Sequence, residues 1–217
     1  MDDWEERARR SVARHDDGLA RLPTVADERQ RQLTRTANAA WAAGLSLLMA
    51  GRRDDARTWL LRAAERYRES WPDAPPGSWG RPIGAMKSRL VAGDRAGALA
   101  DAHWALDAGA SESESPIGRY AATLALLVLG DDAEAEPLAR SLAGEDAIPP
   151  PVHLALSALS ARERGAYASA IRALVADFES RSEFLEDVPV ADTVLALQAL
   201  AAERGLEDDL ESPLLPS

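Results

Sequence analysis

Apolar residues along this chain recur with a helical period rather than alternating. Residues 25–50 read as one long helix with Trp41, Leu45 and Leu48 on a single face. This run and four later ones end at Gly51, Gly93, Gly130, Gly165 and Gly205, and most are preceded by a proline, at Pro82, Pro116, Pro151 and Pro189. Proline suits the first helical turn, and glycine suits the position just past the last. Each interval therefore predicts one helix, and a second helix follows each of the first four glycines. The glycine steps are 42, 37, 35 and 40 residues. Self-similarity at that period is the signature of stacked helical hairpins.

The units align internally. Five residues after each of the first four glycines stands an alanine: Ala56, Ala98, Ala135 and Ala170. A small residue there lets paired helices approach closely. Four positions later Leu60, Ala102, Ala139 and Leu174 share the same helix face. The expected organisation is a single all-α domain of about ten helices. It comprises an N-terminal helix (1–24), hairpins at 25–70, 82–109, 116–144 and 151–180, a capping helix (189–205) and a tail (206–217). Asp2 and Glu5 form a capping signature for a first helix ending near Gly18. Leu210, Leu214 and Leu215 could dock the tail on the stack. Pro137 lies inside a predicted helix, where it should kink or delay it.

These units resemble the tetratricopeptide repeat. Gly44, Ala56, Leu60 and Ala63 match its pattern in the first hairpin, whereas Met86, Thr123 and Ala158 replace the leading glycine in later ones. The resemblance implies a right-handed superhelix whose concave face is lined by the first helix of each hairpin. That face would carry Asn38, Trp41, Leu45 and Leu48, then Gly80, Ile83, Lys87 and Leu90. It continues with Ile117, Tyr120, Leu124 and Leu127, and ends on Val152, Ala155, Leu159 and Arg162. So apolar a face is either filled by another segment, such as the first helix or the tail, or open to a partner helix. The filled version is favoured, since a long exposed stripe would invite aggregation. The whole layout also resembles the all-helical immunity protein 49 family of polymorphic-toxin systems. It does so in the Ala40–Gly44 helix, the run 56–67, the aromatic loop before Pro82 and the ending RGLEDDLESPLLP. That likeness implies neutralisation of a cognate toxin.

Composition sharpens this picture. Alanine and leucine, 44 and 29 residues, make up about a third of 217 positions, which favours helix over strand. Cysteine is absent, which excludes disulfides, iron–sulfur ligation and a thiol nucleophile. The net charge of −11 is unevenly spread. Residues 1–91 hold 17 basic and 13 acidic side chains, a net of +4, while residues 92–217 hold 8 and 23, a net of −15. Such asymmetry can steer association with a basic protein or peptide, or align copies of the chain head to tail as a homo-oligomer. The favoured reading of the asymmetry is a plain solvated acidic surface. Nucleic-acid binding is disfavoured, because phosphates need a basic patch. No membrane association is expected, since the longest uncharged stretch, 36–51, is too short for a bilayer span. The acidic start around Asp2, Asp3, Glu5 and Glu6 is unlike a signal peptide and points to the cytoplasm.

Candidate chemistry is sparse. His15, His103 and His153 lie in different helices; His103 and Asp107 could meet as a surface pair. Neither metal nor cofactor is expected, and no Gly-x-Gly-x-x-Gly, Walker-type or Gly-x-Ser-x-Gly pattern occurs. Gly77–Arg81 comes nearest to a phosphate loop, with Arg81 and Lys87 flanking a helix start that could attract an anion. The favoured reading is a loop that packs Trp71 and Trp79 against the first hairpin. Paired acids such as Asp54–Asp55, Asp131–Asp132 and Asp208–Asp209 read as helix caps. The expectation is a non-enzymatic protein-interaction module, with Trp41, Lys87, Tyr120 and Arg162 as candidate anchors. A toxin-neutralising inhibitor, and an enzyme or small-ligand protein on a helical array, are the alternatives.

Overall fold

A computed structural model describes residues 3–217. Among the described residues there are ten α-helices, one 3₁₀ turn and no strand. The helices are α1 (Trp4–Ala20), α2 (Ala26–Met49), α3 (Arg53–Glu69), α4 (Gly80–Val91) and α5 (Arg95–Asp107). They continue with α6 (Pro116–Leu129), α7 (Asp132–Ser141), α8 (Pro150–Ser160), α9 (Arg164–Glu179) and α10 (Asp192–Ala202), and the 3₁₀ turn is Leu185–Asp187. Each helix from α1 to α9 packs on its neighbours in sequence, so the chain is an all-α stack of antiparallel hairpins. None of these helices is long and apolar enough to cross a membrane.

Local signals explain most boundaries. Asp3 caps α1, its side chain accepting from Glu6 N at 2.9 Å; Asp2, half of the expected capping signature, lies outside the described residues. Asp94 and Ser115 cap α5 and α6, accepting from Gly97 N and Gly118 N. Gly51, Gly93, Gly130 and Gly205 take the left-handed conformation that closes a helix without a Cβ penalty. Gly165 differs: it falls inside α9, and the turn before it uses Arg162 in a left-handed conformation (φ 55°). Pro137 is accommodated within α7, a helix of 10 residues.

The small residues act as expected where hairpins close. A Cβ on Gly44 would lie 2.7 Å from Leu60 Cγ, so this glycine lets α2 and α3 touch. Neighbouring hairpins are also tied by charge. Asp101 on α5 is fully buried and accepts from Arg68 of α3 at 2.5 Å and Arg89 of α4 at 2.7 Å. The loop after α3 packs Trp71 not only on Trp79 (5.9 Å between ring centroids) but edge-on against Trp104 of α5 at 5.4 Å. These indoles therefore join the second hairpin's core as well as following the first.

The decisive feature is the C-terminal segment. α4 contacts α6 and α6 contacts α8, so these three helices form one layer. α10 lies against that layer, packing on α4, α8 and α9. Its Val194, Leu197, Leu200 and Ala201 are fully buried in the core shared with Leu124, Leu127 and Leu159. Val188 and Val190, just before it, pack with Trp41 and Leu60. Residues 188–206 thus cover the inner face along α4, α6 and α8, and do more than cap the last hairpin. The tail docks too: Leu210, Leu214 and Leu215 pack on the core, and Leu214 O accepts from Ala191 N at 2.9 Å.

Candidate functional site

Three of the four candidate anchors converge on the N-terminal turn of α10. Lys87 of α4 forms an ion pair with Asp192 and donates to Thr193 Oγ1 at 2.9 Å. Trp41 of α2 lines the same recess. Tyr120 of α6 lies close enough to feel Asp192: burial first, and that carboxylate second, push its phenol well above the ordinary 10.0. Tyr67 responds alike to burial, Asp192 and Glu186, and its hydroxyl donates to Asn38 Oδ1 at 2.7 Å.

Arg162 does not join them. α8 ends at Ser160, so the projection of Arg162 onto its inner face fails. The residue instead occupies the exposed α8–α9 turn, where its Nε donates to Asp132 Oδ2 at 2.8 Å. Asp132 also receives Arg204, whose guanidinium additionally donates to Leu127 O at 2.7 Å. Asp208 receives Arg172 at 2.7 Å. Neither Asp132 nor Asp208 is spent on a helix cap, and these pairings are 30 to 72 residues apart in sequence, with no local signal to reveal them.

Beside Lys87 a cleft of about 490 Å³ remains open between α2 and α4. Its lining combines Trp41, Ile83 and Leu185 with Thr34, Asn38, Tyr67, Arg81 and the Lys87–Asp192 pair. Arg81, expected at a helix start where it could attract an anion, turns inward. It donates to Ser70 O at 2.8 Å and to Gln30 Oε1.

The outer surface of the C-terminal half carries the charge. All eight guanidiniums of residues 92–217 are engaged within the chain: seven in ion pairs and Arg164 on the Gly205 carbonyl. Glu112, Glu114, Glu134, Asp146, Glu163 and Glu211 are exposed, and no ion pair is found for them among the described residues. The class defined by these features is an all-α hairpin stack closed on its inner face by its own last helix. No protein-family model matches the chain, and no curated protein or solved structure is detectably similar to it.

Proposed function

We propose that the protein is a non-enzymatic interaction module whose contact surface is the acidic C-terminal half and whose partner is a basic protein. The carrying observation is the internal engagement of all eight guanidiniums there, which leaves exposed carboxylates as a one-signed field. Such a field steers association and selects partner charge. The hairpin stack supports this reading as a rigid scaffold for that surface. A tetratricopeptide-like module is the broader form of the proposal, and a toxin-neutralising inhibitor is its specialised form, in which the basic partner is a toxin.

The test is capture from native lysate with the full chain as bait, beside a variant in which Glu112, Glu114, Glu134, Glu163, Glu183 and Glu207 become Gln. A basic protein should be held stoichiometrically at about 0.05 M salt and released at about 0.5 M, where the screening length falls to a few ångströms. The variant should lose it. Equal retention by the variant, or retention indifferent to salt, would sink the proposal.

A further inference from the structure

We propose that the cleft between α2 and α4 binds a small organic monocarboxylate with an apolar body. The proposal does not depend on the basic-partner reading, which concerns the opposite sign of charge on a different surface.

The argument begins with Arg81, which is 7% exposed. A buried cation is costly unless a countercharge compensates it. Its hydrogen bonds found among the described residues go to two neutral acceptors, Ser70 O and Gln30 Oε1. The carboxylate behind Gln30, Asp27, accepts from Gln30 Nε2 at 3.1 Å but is itself paired with Arg31 at 2.5 Å. Within the cleft Lys87 and Asp192 cancel. One positive charge is left over, in a chain whose net charge is −11. Burial alone holds this guanidinium below its ordinary basicity. A carboxylate matches the planar fork of an arginine and supplies the missing charge.

The rest of the lining sets the ligand's body. The volume, about 490 Å³, falls in the range typical of small-molecule sites, roughly 300–1,000 Å³. Trp41 and Ile83 present apolar surface. Leu185 adds more: it is 52% exposed and lines the cleft. The two residues after it, Glu186 and Asp187, are held at φ 56° and 57°, a left-handed conformation that costs energy without glycine and clusters at functional sites. A ligand's hydrocarbon would cover Leu185. A dianion fits less well, because Asp192 lines the same space and only one charge is in surplus.

Benzoate and hexanoate are suitable probes, with benzyl alcohol as the neutral control and phenyl phosphate as the dianion. Each is titrated into the full chain and followed by ¹H–¹⁵N NMR. Both acids should give saturable shifts centred on Trp41, Arg81 and Gly84, benzyl alcohol should bind at least tenfold more weakly than benzoate, and phenyl phosphate should also be weaker than benzoate. Thr34→Phe, which fills the cleft and spares the Arg81 hydrogen bonds, should abolish the shifts. Arg81→Gln should erase the preference for benzoate over benzyl alcohol; if that variant does not fold, Thr34→Phe decides alone. The proposal is overturned if neither acid saturates by about 10 mM, the affinity scale expected of so small a ligand. It is equally overturned if benzyl alcohol or phenyl phosphate binds as well as benzoate, or if binding survives Thr34→Phe.

Discussion

Lys87 of α4 and Asp192 of α10 are ion-pair partners, both largely shielded from solvent, with side chains 14% and 12% exposed. Together they fasten the last helix to the second hairpin. Lys87→Met leaves a buried carboxylate beside two phenols, and should cost about 3 kcal/mol in urea unfolding. Lys87→Met combined with Asp192→Leu should recover most of that loss. A double variant as unstable as the sum of its single changes would show that the pair is not coupled.

Asp132 offers an internal comparison, because two guanidiniums share it. Arg204 is 4% exposed and also satisfies the Leu127 and Leu200 carbonyls; Arg162 is 62% exposed. Arg204→Met should therefore destabilise by about 3 kcal/mol, and Arg162→Met by less than about 1 kcal/mol. Equal effects in thermal unfolding would contradict this ranking.

Two glycine-to-alanine changes should move stability in opposite directions. In α2, Gly44→Ala drives a Cβ to within 3.1 Å of the Leu60 backbone nitrogen as well as into its side chain, and should cost about 1–3 kcal/mol. In α9, Gly165→Ala meets nothing within 4 Å and should gain up to about 1 kcal/mol from helix propensity and unfolded-state entropy. Chemical denaturation of both variants reads the contrast directly.

All three tyrosines, Tyr67, Tyr120 and Tyr167, have phenols pushed well above their ordinary 10.0, chiefly by burial. Above pH 10 the unfolded chain releases these protons while the folded chain keeps them. The unfolded state then binds fewer protons, so stability, fully present below pH 10, must fall as pH rises. Tyrosinate absorbance should appear together with loss of helical circular dichroism. Tyrosinate forming in a fully helical protein would contradict the assignment.

The hairpin stack was legible because its signals are local. Pro116 and Pro150–Pro151 open α6 and α8, and Gly51, Gly93 and Gly130 close α2, α4 and α6, each within one turn of the boundary it sets. Gly165 misled by three residues because Arg162 adopts the left-handed turn unaided, which displaced Arg162 from the face on which its spacing put it. The convergence on Asp192 was illegible for a different reason. Lys87 pairs with it, and Tyr67 and Tyr120 sense its charge, only because α10 returns to the inner layer, and no periodicity encodes the destination of a returning helix. The sequence marks Arg81 as a cation at a helix start, but its inward turn depends on Gln30, 51 residues away.

The return of α10 also sets the order in which the protein can be completed. Chains fold as they are synthesised, from the N-terminus onward. Every hairpin that borders the inner face is made before residues 188–206 that cover it. A ribosome-bound nascent chain therefore displays Leu124, Leu127 and Leu159 without their cover, and a premature stop before Val188 would make that exposure permanent. Translation pauses and nonsense mutations just before the Val188 codon should thus carry a heavy penalty in aggregation and chaperone demand.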